Sequence, residues 1–504
     1  MRLSWFDRFA LAFSLLTIIA CVLVSQNIFE SIPHIEDEMA YTWQAKVIAR
    51  GQISVPSPEQ CPTCFLVPFV VDHNGIRFGK YPLGWPVVLS FGERLGARDW
   101  VNPILAGWSI WLLYRLGKKL FNEKTALLAA FLAASSPFLL MNSGSFLAHS
   151  WSLFLTLCLA LAWLDTFDLQ RRVPRWMTAG VAALSIGLLA LTRPLTAVGV
   201  CLPFIIHAIW LLLRGDRNTR LTVLSIGALA GIITAIHFLW QYAVTGDAML
   251  NPYLLWWPYD NIGFGPGIGL QAGGYKLDDA LRNAKYGLYF GIHDLFGWAS
   301  YSWIFLPVGF IAIWRNKRAW LITAIAPSLI LAYGFYWVSS SLLGPRYYYE
   351  TLPSLALLTA AGICWLASRR LPWLRWNKIP LVITTLLVTV LVTCNLFFYT
   401  PMRLDGLRGL YGVSRAAMEP FLSPQWQDRT PALIIVKPGK SWIGYGNLVD
   451  LTSPFMDSPF IFAWYSSPEE NLAITRKFFK RTTYYYYTDT PNRLYLDPRT
   501  EGIQ

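Results

Sequence analysis

Residues 9–28 read FALAFSLLTIIACVLVSQNI, and after three residues comes Ile32-Pro33-His34-Ile35-Glu36-Asp37-Glu38-Met39-Ala40-Tyr41. The first run carries no charge and is long enough to cross a bilayer core as a helix, which takes about 20 residues. The second sets three consecutive acids just beyond that crossing. The whole chain fits the same pattern. It has 504 residues, of which 55% are apolar and only 14% charged, whereas soluble chains carry about 25% charged residues. So little charge cannot cover a water-facing surface. This composition excludes a soluble enzyme, a disordered chain and a secreted disulfide scaffold.

Apolar stretches predict eleven membrane helices, at roughly 9–28, 100–116, 125–141, 146–164, 177–192, 196–213, 221–243, 297–314, 319–338, 347–367 and 380–399. Lys and Arg number 42 against 29 Asp and Glu, a net +13. Nearly half of these cations cluster in alternate connections: Arg2, Arg8, Arg115, Lys118, Lys119 and Lys124; Arg171, Arg172 and Arg175; Arg214, Arg217 and Arg220; Arg315, Lys317 and Arg318; Arg369, Arg370, Arg375 and Lys378. Basic connections stay on the cytoplasmic side. The surplus is therefore topology, and no nucleic-acid partner is expected. The N-terminus is expected inside, in a plasma membrane, with 9–28 as an uncleaved anchor. The outer face would hold loops 29–99 and 244–296 and the tail 400–504. The fold class is an all-α polytopic membrane protein, residues 1–399, with a small extracytoplasmic α/β C-terminal domain.

In the first outer loop, spacing predicts a helix over 37–50 that lies on the membrane surface. Its acids sit at a helix N-terminus, which favours negative charge. They serve either as caps or, for a carboxylate such as Asp37, as a general base toward an attacking hydroxyl. Trp85, in Gly79-Lys80-Tyr81-Pro82-Leu83-Gly84-Trp85-Pro86, suits an interface. Lys80 is either a snorkelling anchor or a partner for a lipid phosphate. Cys61 and Cys64 are the only cysteines outside the spans. They are expected to form a disulfide, since a zinc site needs four ligands and His73 adds at most one. Cys21, Cys158, Cys201, Cys364 and Cys394 read as small apolar fillers. Arg193 and Arg346 fall at the outer face, against the charge trend. They are anchors, or, with Lys80, a grip on an anionic ligand. Gly263 to Gly274 match no nucleotide-binding motif in context and form a mobile loop or a closing one. His149 lies at the outer end of the fourth span, where an ionisable group is expected to face protein or water. His207 and His237 are expected to bond within the bundle. In the tail, 432–436, 459–463 and 484–487 read as strands, and Ser467-Pro468 opens a helix.

Asp37-Glu38 with Tyr41, in the first outer loop of a polytopic chain, resembles the GT-C superfamily of glycosyltransferases. The branch is that of the protein O-mannosyltransferases and the lipid A aminoarabinose transferase. Lys80-Tyr81-Pro82, Ser135-Ser136-Pro137-Phe138 and Gly344-Pro345-Arg346-Tyr347 support it. The resemblance covers about 1–370. It implies an inverting transferase that takes a sugar from a polyprenyl-phosphate donor to a lipid, glycan or protein acceptor on the outer face. Asp37 then matches the catalytic acid and Glu38 its neighbour, while Lys80, Arg193, Arg346 and Tyr347 fall near the donor phosphate. Where relatives carry a second acid, this chain has His149, which leaves the acceptor class open and offers a proton relay instead. No metal cluster is visible and no cofactor is expected, although a divalent cation on a carboxylate stays open. Two other readings are a lipid-linked glycan transporter or flippase, and a glycolipid receptor without catalysis. Few central charges and no visible repeat weigh against the first; the intact Asp37 weighs against the second.

Overall fold

The computed structural model describes residues 3–168, 173–369, 378–439 and 442–499. Arg2, Arg171, Arg172, Arg370 and Arg375 of the basic connections lie outside the described residues.

Ser4 starts the first helix, α1 (Trp5–Asn27). Its side chain accepts from the Asp7 amide while Asp7 accepts from the Ser4 amide, a reciprocal cap that satisfies two otherwise orphaned donors. The acidic stretch then forms α2 (Glu36–Ala49), as its spacing predicted. A three-stranded antiparallel sheet follows, β1 (Val55–Pro56), β2 (Val70–His73) and β3 (Ile76–Gly79), in the order β1-β3-β2. Then come α3 (Gly84–Leu95), α4 (Arg98–Leu120), α5 (Glu123–Ala134), α6 (Pro137–Gly144), α7 (His149–Thr166), α8 (Arg175–Ala190), α9 (Pro194–Arg214) and α10 (Arg217–Thr245). Short α11 (Pro252–Trp256) and longer α12 (Leu277–Asp294) lie in the second outer loop. The bundle ends with α13 (Leu306–Ile313), α14 (Lys317–Thr323), α15 (Ile325–Tyr333), α16 (Leu352–Ala367) and α17 (Ile379–Cys394).

Helices occupy all eleven expected positions, but they are not eleven continuous spans. Among the described residues, five helices are long and apolar enough to cross a membrane, or seven if each of two bent pairs is one span. That makes this an integral membrane protein. The breaks have local causes. Ser136 caps α6 and Pro137 is its first residue, so the chain turns 56° between α5 and α6. The expected span 297–314 shrinks to a short turn and α13, 110° away from α12. The run 319–338 splits into α14 and α15. Helix α12, with acids in its first turn, lies where a loop was expected.

The tail forms a four-stranded sheet, β4 (Ala432–Lys437), β5 (Phe460–Trp464), β6 (Thr482–Tyr487) and β7 (Leu494–Tyr495), ordered β5-β4-β6-β7. Central β4 pairs parallel with β5 and β6, placing Ala432 beside Phe460 and Thr482. It is buried through Ala432–Val436, hence its unbroken apolar sequence. Ser467 caps the helix Pro468–Lys477 through the Glu470 amide.

This sheet does not stand apart from the first outer loop. Cys64 and Phe65 share one apolar cluster with Leu433, Ile435, Ile461 and Ala463. Lys46 and Arg98 both close on Asp450, at 2.7 and 2.9 Å. Helix α2 therefore lies inside protein, with Glu38 to Ala45 all buried, rather than flat on lipid. Trp85 is likewise buried, its indole donating to the Phe146 carbonyl at 2.8 Å. Cys61 and Cys64 form the expected disulfide. Cys394 is exposed, so it fills no space, unlike buried Cys21 and Cys201.

Burial alone pushes the Asp450 carboxyl up, yet Arg98 and Lys46 pull it far below the usual carboxylate range. Its stabilisation is complete above the ordinary carboxylate pKa and lost only as pH falls through that depressed value. Asp450→Asn is expected to cost about 3 kcal/mol, because Lys46 loses its charged partner and Arg98 keeps only Glu93. Limited proteolysis and thermal unfolding read the result. An unchanged Tm with an equally resistant tail would show that the clamp is not needed.

Candidate active site

Asp37 is the second residue of α2. One carboxylate oxygen accepts from the Tyr81 hydroxyl and the other from Arg346 Nη2 at 3.0 Å. Burial raises this carboxyl, but Arg346, the Tyr81 hydroxyl and Lys80 together bring it below its ordinary value. Tyr81 is raised well above the usual phenol range, first by burial and then by Asp37, so it stays a donor.

The pair borders a cavity of about 230 Å³ at the end of the bundle that carries the tail. Tyr41, His149, Arg193, Tyr333, Tyr336 and Tyr347 also line it. Each is delivered by local structure. Gly84 donates to the Leu191 carbonyl at 2.9 Å, and a Cβ on Gly84 would lie 2.4 Å from Thr192 Oγ1. That close approach locks the Tyr81 turn to the end of α8, just ahead of Arg193. Arg193 caps α9 and donates to Glu350 at 2.7 Å and to the Tyr333 hydroxyl at 2.9 Å. Gly344 takes φ +74°, a turn that favours glycine. Asn142 donates to the adjoining Leu343 carbonyl at 2.8 Å, fixing the approach to Arg346. Tyr347 stacks on Tyr333, ring centres 4.8 Å apart.

His149 opens α7 after a turn held from three sides. Glu38 accepts from the Phe146 amide, Trp85 donates to the Phe146 carbonyl, and Asn102 donates to Ser145 and Leu147. The imidazole is 4% exposed, and neither ring nitrogen has a hydrogen-bond partner among the described residues. Arg346 likewise keeps two buried donors, Nε and Nη1, without a partner. These groups and Arg193 make a pocket rich in donors, suited to an anion that also brings hydroxyl groups.

Two residues expected at the site are employed elsewhere. Glu38 does not line the cavity. Its oxygens accept from the His34, Ile35 and Phe146 amides at 2.8, 3.2 and 2.7 Å. Lys80 also sits behind the wall. Its ammonium pairs with Asp260 at 3.2 Å and lies over the rings of Phe69, Trp257 and Tyr253 at 3.8, 4.7 and 5.0 Å. Burial lowers it below the usual lysine range against the pull of Asp260 and Asp37. His207 accepts from Trp163 at 3.0 Å, as expected of a bundle histidine. His237 instead lines the cavity, with Nδ1 unpartnered among the described residues.

Sequence reasoning gave Tyr81, Asp260 and Tyr333 no role. Tyr81 was adjacent to Lys80, and Asp260 was an acid among aromatics in Trp256-Trp257-Pro258-Tyr259; such company was the available signal. The glycine segment is ordered. Gly263 donates to Phe335 at 2.8 Å and Gly265 to Tyr275 at 2.9 Å, which sets Asn261 and Ile262 in the cavity wall.

Residues 88–257, from within α3 to the end of the short helix α11, match the family described as dolichyl-phosphate-mannose-protein mannosyltransferase. The undecaprenyl phosphate-α-4-amino-4-deoxy-L-arabinose arabinosyl transferase 1 of Pseudomonas fluorescens (strain Pf0-1) is 25% identical over 411 residues. That covers 77% of this chain and 66% of the relative, just under two thirds of its length. Among solved structures, ArnT from Cupriavidus metallidurans bound to undecaprenyl phosphate superposes with a TM-score of 0.57 at 12% identity, over 95% of this chain and 89% of ArnT. The oligosaccharyltransferase AglB from Archaeoglobus fulgidus, in complex with an inhibitory peptide and a dolichol-phosphate, gives 0.53 at 12% identity, over 93% and 65%. The ArnT superposition spans nearly the whole chain, so it includes most of a tail for which the sequence had suggested no counterpart. The chain shares the fold of ArnT and AglB, and its residues 88–257 match the mannosyltransferase family.

Proposed function

We propose that this protein is an inverting glycosyltransferase that uses a polyprenyl-phosphate-linked sugar at the outer membrane face. The observation that carries the reading is Asp37, held charged between Tyr81 and Arg346 in a cavity wall where Arg346 keeps two donors unused. The named substrate of the Pseudomonas relative and the lipid phosphates bound to ArnT and AglB support the donor class.

In the reaction, an acceptor hydroxyl oxygen attacks the anomeric carbon from the side opposite the phosphate. The new C–O bond forms as the bond from that carbon to the phosphate oxygen breaks. The electron pair leaves with the phosphate, so polyprenyl phosphate is the second product. The hydroxyl proton goes to Asp37. Arg346 and Arg193 stabilise the charge that grows on the leaving phosphate. Tyr41, Tyr333 and Tyr347 supply flat faces for the sugar. The acceptor is a lipid, glycan or protein hydroxyl, with the N-terminus cytoplasmic.

Asp37→Asn is expected to lower turnover by about 10²–10⁴-fold, the usual worth of a general base. The fold should remain intact. Release of polyprenyl phosphate from short-chain donors, followed by mass spectrometry with purified protein, reads this out; normal turnover would remove Asp37 as the base. A depressed carboxyl stays charged until pH falls through its lowered value. Wild-type turnover should therefore show no acidic fall attributable to Asp37 above the ordinary carboxylate range. Tyr81→Phe removes one stabilising donor and should move that fall to higher pH. A pH–rate profile identical to wild type would count against the Tyr81 contact. Arg346→Ala should weaken donor binding about tenfold or more while the protein still purifies as a single species; unchanged affinity in a titration would place the phosphate elsewhere.

A further inference from the structure

We infer that the site accepts donors whose sugar carries no positive charge, and that His149 sets this preference; the inference rests on the donor class proposed above. Among the described residues that line the cavity, the carboxylates are Asp37 and Asp260. Every oxygen of both is already bonded. Asp37 takes Tyr81 and Arg346. Asp260 takes Lys80 on one oxygen, and Tyr336 at 2.9 Å and Trp337 at 3.2 Å on the other. The other wall groups that are buried without a partner among the described residues are Nε and Nη1 of Arg346, the ring of His149 and Nδ1 of His237, and none of them is a carboxylate oxygen. A ligand that completes this cavity brings acceptors, namely phosphate oxygens and sugar hydroxyls. An ammonium on the sugar would instead meet Arg193 and Arg346, and the one unpartnered carboxylate oxygen near them among the described residues, Oε2 of Glu350, belongs to a residue that does not line the cavity.

Aromatic faces are the other way to hold a cation. Here much of that role is taken, since Arg193 lies over Tyr333 and Arg346 over Tyr347. Lys80 already lies over Phe69, Tyr81, Tyr253 and Trp257, two of which also wall the cavity. Position 149 is where a single carboxylate would change the balance. It is buried, held on a braced turn, and borders the same cavity as both arginines. It carries an imidazole. His149 is thus placed to decide specificity without moving a bond itself.

The test uses the full-length protein in detergent with matched short-chain polyprenyl phosphates. Each neutral pentose or hexose is paired with the analogue in which one hydroxyl is replaced by an amine. Release of polyprenyl phosphate is followed for wild type, His149→Glu and His149→Gln. Wild type should turn over its preferred neutral sugar at least tenfold faster than the amino counterpart. His149→Glu should reduce that ratio tenfold or more, and His149→Gln should keep it. An amino sugar turned over as fast as or faster than its neutral partner by wild type overturns the inference and leaves the donor class standing. A neutral preference that His149→Glu does not change removes His149 from its cause. Release from no lipid-linked sugar overturns the donor class, and this inference with it. If the Glu variant does not fold, the wild-type ratio still decides the charge preference and His149→Gln still tests the position.

Discussion

The contact between Asp37 and Arg346 joins the start of the first outer helix to the segment before α16, residues 309 apart in sequence. Neither charge can sit in that wall alone, because a buried charge without a partner costs several kcal/mol. The pair therefore requires two distant parts of the chain to arrive together. Much of the surrounding architecture serves that meeting. Asn142 holds Leu343, the glycine turn at 344 aims the arginine, and Gly84 packs against Leu191 and Thr192 so that Tyr81 reaches the other carboxylate oxygen. Asp37 also lies in the first turn of α2, where the helix dipole adds to its stabilisation.

Helix α2 must then be kept still from behind, and the tail does this. Lys46 at its far end and Arg98 at the start of α4 converge on Asp450, while Arg50 reaches Asp457. Phe65 brings the first outer loop into the apolar cluster beneath β4. The C-terminal sheet thus works as a brace for the helix that carries Asp37. Its own residues do not line the cavity among those described.

The positions of the crossing segments were legible because lipid demands long apolar runs, and 9–28, 196–213 and 221–243 have no other explanation. The breaks were less so. Ser135-Ser136-Pro137 announces a helix start inside an apolar run, but hydropathy averages across it. Helix α12 was missed for the opposite reason: Asp278, Asp279, Arg282 and Lys285 make it polar enough to read as loop. At the site, Arg193 and Arg346 were visible as cations against the charge trend, and Asp37 as an acid at the start of a helix just beyond the first span. Glu38 and Lys80 looked the same in sequence. Only the fold shows that Glu38 spends its oxygens on three amides and Lys80 its charge on Asp260. Charge and position mark candidates, whereas hydrogen-bond partners decide which of them face the ligand.

One consequence concerns the arginine. A guanidinium presents five donors in a rigid plane, and Arg346 gives Nη2 to Asp37 while Nε and Nη1 stay unpartnered. On the proposed reaction it would hold the leaving phosphate without releasing Asp37. In the ground state its charge is shared mainly with Asp37, which keeps that carboxylate a weak base. As the bond to phosphate breaks, negative charge accumulates on the leaving oxygen and draws the guanidinium's field toward itself. The hold on Asp37 weakens at the moment when the acceptor hydroxyl becomes acidic. On the proposed reaction, a base held weak by its partners in the ground state would gain proton affinity as the reaction advances. A lysine's compact ammonium lacks the rigid planar fork that presents separate edges to two partners. That gives a physical reason for an arginine at 346.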